Sequence, residues 1–398
     1  MLKFSDYANE LEESQLTRFL NIISSRKNII SFANGLPDPY TFPIYEIKDI
    51  INEILNKNPS IALQYTLTCG PLEVKSSVLQ LAKKRGINNI TEDNICIISG
   101  SQEGIFIIFH LFLNKGDYLV LEKPTYLAAL ETSKPLNVKY IDININKNGY
   151  EIDNLEDKIN QVKKEGNSSI KLMYLIPTAQ NPSGLTMSEN IKKKIIDIAI
   201  SNDIYILEDD AYGFLTFDEY SLPLRHYNNS HVIYIGSLSK ILSSGLRLGY
   251  IIAEEKIIKK VESLKQNINA HTPTLNQLIL AEAVSRGIIF SNLPKIIQRY
   301  KIKRNVMLNA ISKYFPKEVM HTYPLGGMFI FNWLPEGINA FSILEKSLEK
   351  NVVFMPGEFF YYDKSGKNTF RLTYSLPNTE DIYEGIKNLG EVLSQFLK

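Results

Sequence analysis

From about residue 90 to residue 253, short runs of aliphatic and β-branched residues recur, separated by segments with apolar residues at helical spacing. The runs are NICIIS, DYLVLE, VKYIDI, KLMYLIP, DIYILED, VIYIGS and LGYIIA. Their hydrophobicity is almost unbroken rather than alternating, as in strands covered by helices on both faces. Between two of them, SENIKKKIIDIAISN opens on a serine and reads as a helix. Such alternation predicts an α/β fold built on a doubly wound, mostly parallel sheet, here of seven strands.

After Tyr250 the pattern changes. LPKIIQRYKIKRNVMLNAISKYF reads as a long helix, and strand-like and helical segments then alternate, punctuated by Gly326-Gly327 and Pro356-Gly357. A chain of 398 residues is longer than one small core organises, so two domains are expected. The pattern divides it into a large domain, residues 46–291, and a smaller α+β domain, residues 292–398. Residues 1–45 are expected to pack against the smaller one.

Lys and Arg number 44 against 43 Asp and Glu, a net charge of +1. That balance gives no footprint for nucleic acid or an anionic membrane. The longest apolar runs, such as IFIIFHLFL, fall short of the roughly 20 residues that span a bilayer, and MLKFSDYANELEESQ lacks a signal-peptide core. Two cysteines, Cys69 and Cys96, make neither a disulfide framework nor a metal site, and nothing in the sequence places them together. A reduced, cytoplasmic setting is expected.

Open α/β sheets bind ligands beyond the carboxyl ends of their strands, so the residues that follow each strand carry the functional argument. NICIIS is followed by GSQEGIF, where Ser101, Gln102 and the amides of a helix N-terminus would hold a phosphate. DYLVLE leads to Tyr126, and KLMYLIP to Asn181 in a Pro-rich turn. DIYILE runs into Asp209, Asp210 and Tyr212. VIYIGS runs into Ser239 and Lys240, with Arg247 just before LGYIIA. Singly, each has a plainer reading: a helix cap, a turn, a solvated strand end, a surface lysine. Together they bring a phosphate cradle, an aromatic plate, a carboxylate and an amine to one crevice. Those parts suit pyridoxal phosphate, whose aldehyde condenses with a lysine and whose ring nitrogen is kept protonated by a carboxylate.

With these residues the chain resembles the fold type I pyridoxal-phosphate enzymes of the class I/II aminotransferase family. Within it, the subgroup of 2-aminoadipate, kynurenine and archaeal aromatic aminotransferases is the most similar. The motifs are SFANGLPDPYTFP, QYTLTCGPLEVK, ISGSQEGI, EKPTY, PTAQNPSG, LEDDAYGFL, SLSKILSSGLRLGY, PLGGMF, VFMPGEFF and FRLTYS, spread over almost the whole chain. The resemblance implies transamination between an amino acid and a 2-oxo acid such as 2-oxoglutarate. It makes Lys240 the Schiff-base lysine and the group that moves the proton. Asp209, by its Asp-x-x-Tyr spacing to Tyr212, becomes the partner of the pyridine nitrogen, and Asp210 has no such role.

The same resemblance assigns Asn181 and Tyr212 to the phenolic oxygen of the cofactor and Tyr126 to the face of its ring. Ser101, Gln102, Ser237, Ser239 and Arg247 fall to the phosphate. Tyr65 corresponds to a tyrosine that reaches the phosphate of a neighbouring subunit, which implies a homodimer with shared sites. Arg371 corresponds to the clamp on the substrate α-carboxylate, with Asn181, Gly35 and Phe329 also facing the substrate. Arg18, on an N-terminal helix, either reads a distal carboxylate or is an exposed helix residue. No metal is implied. Two departures stand out: Asn34 where many relatives have a second glycine, and an Asp-Ala dipeptide where relatives often have Asp-Pro.

Two other functions use this scaffold. C–S β-lyases employ the same lysine as a base but eliminate a side-chain group. Related domains also act as ligand sensors behind a winged helix-turn-helix, for which the first 30 residues are too few. The amino donor stays open among aromatic, kynurenine-like, 2-aminoadipate and branched-chain substrates.

Overall fold

A computed structural model describes residues 3–11, 19, 28–166 and 169–397. Strand β1 (Ile30–Ser31) precedes the strands of the main sheet. These are β2 (Ile95–Ile98), β3 (Tyr118–Lys123), β4 (Lys139–Asn146), β5 (Gly149–Glu151), β6 (Ile170–Leu175), β7 (Tyr205–Asp210), β8 (Val232–Ser237) and β9 (Gly249–Ile252). Their order across the sheet is β2-β9-β8-β7-β6-β3-β4-β5. Strands β3, β4, β6, β7 and β8 are parallel, whereas β9 lies antiparallel between β2 and β8.

The seven expected strands are joined by an eighth, β5, which corrects the expected count. It folds back antiparallel on the end of β4. Its three residues, Gly-Tyr-Glu, carry no apolar run by which a strand could be recognised.

The unbroken hydrophobicity of the strands has the expected cause. Along β6, Leu172 and Tyr174 belong to one core while Met173 and Leu175 belong to the other, on the opposite face of the sheet. Helix Ser101–Phe112 packs on β2, β7, β8 and β9, and helix Glu189–Ser201 on β7. The latter is capped by Ser188, whose hydroxyl accepts the Ile191 N–H.

Further along the chain come β10 (Met320–His321), β11 (Phe329–Trp333), β12 (Val352–Val353), β13 (Met355–Pro356) and β14 (Thr369–Thr373). Four of them form a second, antiparallel sheet in the order β10-β11-β14-β13. Strand β12 pairs instead with β1, which ties the N-terminal strand to this part of the chain. Cys69 and Cys96 turn out to be neighbours: the Ile97 N–H donates to the Cys69 carbonyl at 3.1 Å, and both thiols are free and buried. Burial and the Cys69 thiol push the Cys96 thiol up. Among the described residues no helix is long and apolar enough to cross a membrane.

Candidate active site

The carboxyl ends of β2, β3, β6, β7 and β8 meet β11 and β14 around a cavity of about 360 Å³. Every described residue assigned to the site from the sequence lines it except Tyr65. Arg18 lies outside the described residues. Tyr65 is 83% exposed, with its ring edge-on to His271 at 5.6 Å, and does not line this cavity.

One end of the cavity is built for an anion. Gly100 has φ of 89°, and a Cβ there would lie 2.5 Å from the Arg247 guanidinium, so only glycine allows the approach. Arg247 itself sits in left-handed backbone at φ of 49°, which costs a non-glycine residue roughly 1–2 kcal/mol. Its guanidinium is exposed and, among the described residues, reaches two carbonyls, of Ser244 and Ser99, both at 3.4 Å. Beside it begins helix Ser101–Phe112, whose first N–H groups have no partner within the helix. The buried Ser237 and Ser239 complete this wall. The Gln102 side-chain amide is already committed to the Thr132 hydroxyl at 2.9 Å, so its backbone N–H is the group it offers.

Asp209, which also lines the cavity, is buried. Its Oδ2 accepts the Tyr174 hydroxyl at 2.9 Å, while Oδ1 has no hydrogen-bond partner among the described residues. Burial, and then the neighbouring Asp210 charge, push its carboxyl up to about 6. Asp210 points elsewhere: its Oδ2 accepts from Arg85 Nε at 2.8 Å and from the Tyr234 hydroxyl at 2.7 Å. Of the two aspartates, Asp209 lines the cavity and Asp210 does not. Tyr174 was not legible as a site residue, although a tyrosine hydroxyl in an otherwise apolar strand must find a buried partner.

Lys240 lines the same cavity and donates to the Gly35 carbonyl at 3.1 Å. Burial, with Arg247 and Arg371 nearby, brings its ammonium down to about 8. The neutral amine is the nucleophile, so capture of an aldehyde should rise with pH and level off above about 8, not near the usual 10.5. The rate of cofactor uptake by the full-length apoprotein between about pH 6 and 10 checks this.

Arg371 closes the cavity from β14. Its Nη1 donates to Asn181 Oδ1 at 2.7 Å and its Nη2 to the Ala33 carbonyl at 2.6 Å, while Nε has no partner among the described residues. The guanidinium is stacked between Phe329 at 4.3 Å and Phe360 at 4.9 Å, and burial lowers it to about 10. Tyr212 is also buried and meets Phe329 edge-on at 5.7 Å. Gly35 lies against the same ring, where a Cβ would come within 3.0 Å of it. Leu36, Ile176, Ser244 and Met355 line the cavity as well. Sequence reasoning missed Leu36, Ile176 and Met355 because nothing separates a lining apolar residue from a core one, and Ser244 because a loop serine carries no signal of its own.

Pyridoxal phosphate fits this set. Arg247 and the start of helix Ser101–Phe112 suit a phosphate, Asp209 Oδ1 is a buried acceptor without a hydrogen-bond partner among the described residues, and an amine of lowered basicity lines the same cavity.

Comparison with known proteins agrees. A family model described as aminotransferase class I and II matches residues 28–389. An uncharacterized aminotransferase of Saccharolobus solfataricus is 47% identical over 97% of this chain and 96% of its own. Aromatic-amino-acid aminotransferase 1 of Thermococcus litoralis is 38% identical over 99% of this chain and 95% of its own. The crystal structure of the α-aminoadipate aminotransferase LysN from Thermus thermophilus, complexed with N-(5'-phosphopyridoxyl)-L-leucine, superposes with a TM-score of 0.89. It is 32% identical and covers 99% of this chain and 98% of its own. With a match this complete and a cavity this equipped, the chain belongs to the class I and II aminotransferases and is a pyridoxal-phosphate-dependent enzyme.

Proposed function

We propose that this cavity transfers the amino group of an aromatic or other bulky apolar amino acid to 2-oxoglutarate or a similar 2-oxo acid. The observation that carries the reading is Arg371, a buried guanidinium whose hydrogen-bond partners are two neutral oxygens and which faces the same cavity as the Lys240 amine. A buried cation without an anion calls for one from outside. Every amino or oxo acid brings an α-carboxylate, which the planar guanidinium can bind with paired, charge-assisted hydrogen bonds.

When bound, pyridoxal phosphate supplies the aldehyde that joins the amine and the ring that accepts the electron pair released at the α-carbon. The chain's own groups do the rest. Arg247, Ser237, Ser239 and the helix start at Ser101 and Gln102 would hold the phosphate. Asp209 would offer its second carboxylate oxygen to the ring nitrogen and favour its protonated form. Tyr126 would pack on the ring face, and Asn181 and Tyr212 would serve the phenolic oxygen. Lys240 would take the proton from the substrate α-carbon and return it. Its lowered basicity lets it act as base and acid near neutral pH.

Among the described lining residues the cations are Lys240, Arg247 and Arg371, and each already has one of these tasks. Leu36, Ile176, Phe329 and Met355 leave an apolar wall for the side chain. A panel of amino donors assayed with 2-oxoglutarate should rank phenylalanine, tyrosine and kynurenine above 2-aminoadipate. Preference for the dicarboxylic donor by tenfold or more would overturn the apolar reading and return the question to Arg18.

Truncating Arg371 to alanine should weaken all donors and acceptors alike, by about 2–5 kcal/mol in kcat/KM for a desolvated pair. Kinetics with one aromatic donor and two different oxo acids check it. A loss confined to one substrate would contradict the shared role.

The exposed Tyr65 supports a homodimer in which it completes the phosphate site of the neighbouring subunit. Mixing inactive Lys240→Ala chains with chains inactivated at Tyr65 should then regenerate active hybrids. A fully active monomer would rule this out. The division at residues 46 and 292, with the N-terminal segment on the smaller domain, is part of the same proposal and is supported by the β1–β12 pairing. So is a cytoplasmic location.

A further inference from the structure

The anion cradle contains an apparent contradiction. Glu103 stands in the first turn of the helix whose N-terminus faces the cavity, two residues after Ser101. A carboxylate there suits the helix dipole but competes for the same field with a phosphate dianion. The side chain is turned back, away from that competition. One of its oxygens accepts the Ser99 N–H, and the other accepts Asn269 Nδ2 at 2.7 Å. Lys265, from helix Glu255–Asn269, contacts both oxygens at 3.0 Å.

Lys265 is fully buried, and its ammonium also donates to Asn269 Oδ1 at 3.0 Å and Thr272 Oγ1 at 3.2 Å. Ser99 joins this cluster to the cradle. Its N–H goes to Glu103, its hydroxyl meets Thr272 at 3.2 Å, and its carbonyl accepts from Arg247. A lysine with every contact satisfied inside the protein is not a surface cation.

We propose that Lys265 is a positioning residue for cofactor binding: it neutralises and holds back Glu103, so that the helix start and Arg247 can receive a phosphate. The inference rests on the reading that the phosphate of pyridoxal phosphate binds at this cradle. Lys265 touches neither cofactor nor substrate and acts through Glu103 and Ser99.

The test compares pyridoxal phosphate with pyridoxal, which has the same ring and aldehyde but no phosphate. Each is titrated into the full-length apoprotein and followed by visible absorbance. Lys265→Met, which leaves the Glu103 charge unopposed, should weaken pyridoxal phosphate by roughly 10–100-fold, the usual scale of coupling in a buried network. Pyridoxal affinity should change by no more than about twofold. Glu103→Gln alone, which removes the competing charge, should bind pyridoxal phosphate as well as the parent or better, and Glu103→Gln/Lys265→Met should recover most of the loss.

Equal weakening of both ligands by Lys265→Met would overturn the proposal, since a merely structural brace would not distinguish them. If Lys265→Met does not fold, Glu103→Gln decides the matter, because a tenfold loss of pyridoxal phosphate affinity there reverses the predicted sign. Failure of the parent protein to prefer pyridoxal phosphate over pyridoxal would instead remove the underlying cradle reading.

Discussion

Lys240→Ala is expected to abolish transamination and the visible absorbance of the lysine-bound cofactor, while the phosphate end of the cavity still retains pyridoxal phosphate. Among the described residues no other lysine lines the cavity. The nearest cations, Arg247 and Arg371, lower the basicity of Lys240 but cannot replace it, because a guanidinium stays protonated. General acid–base catalysis by one group is worth about 10²–10⁴-fold, and here the covalent anchor disappears with it. Borohydride reduction followed by peptide mapping checks the assignment. In the parent the adduct should fall on the peptide containing Lys240. An adduct retained elsewhere in Lys240→Ala would defeat it.

The second large effect is expected from Asp209→Asn. An amide can still receive the Tyr174 hydroxyl, but it carries no negative charge for the ring nitrogen. The conversion of donor to oxo acid should slow by roughly 10³-fold, the scale of losing one preorganised electrostatic contact in a water-excluded site. Phosphate-dependent cofactor binding should persist. Asp210→Asn offers the contrast, although not as a silent control. It would strip the buried Arg85 of its carboxylate, and breaking such a pair costs about 3–5 kcal/mol of stability. Its thermal midpoint should fall, while the single-turnover rate of the folded fraction stays near that of the parent. A slow Asp210→Asn beside a fast Asp209→Asn would show that the wrong aspartate faces the cofactor.

Much of this was legible because it is local. Strand ends, and the residues that follow them, are read directly from the order of the chain. The parallel sheet then brings Ser101, Tyr126, Asn181, Asp209 and Lys240 to one edge without further information. Arg371 came from resemblance alone, since nothing in FRLTYS says that β14 faces the large sheet. The contacts beneath the site were not legible because they join distant segments: Tyr174 with Asp209, Arg85 with Asp210, and Lys265 with Glu103; the Cys69–Cys96 contact in the core was hidden for the same reason. Periodicity shows which face of a strand is buried, not which residue waits on the other side.

The central claim is that an amine, a carboxylate and a buried guanidinium in one cavity carry out two half-reactions in turn. A spectrophotometric titration of the full-length enzyme loaded with pyridoxal phosphate tests it most directly. An aromatic amino acid added without any 2-oxo acid should bleach the visible band once and release one equivalent of its oxo acid per site. Added 2-oxoglutarate should then restore the band and yield one equivalent of glutamate. Steady release of ammonia from a donor with a leaving group on its β-carbon, with no need for an oxo acid and no lasting bleach, would contradict the account in favour of a β-lyase.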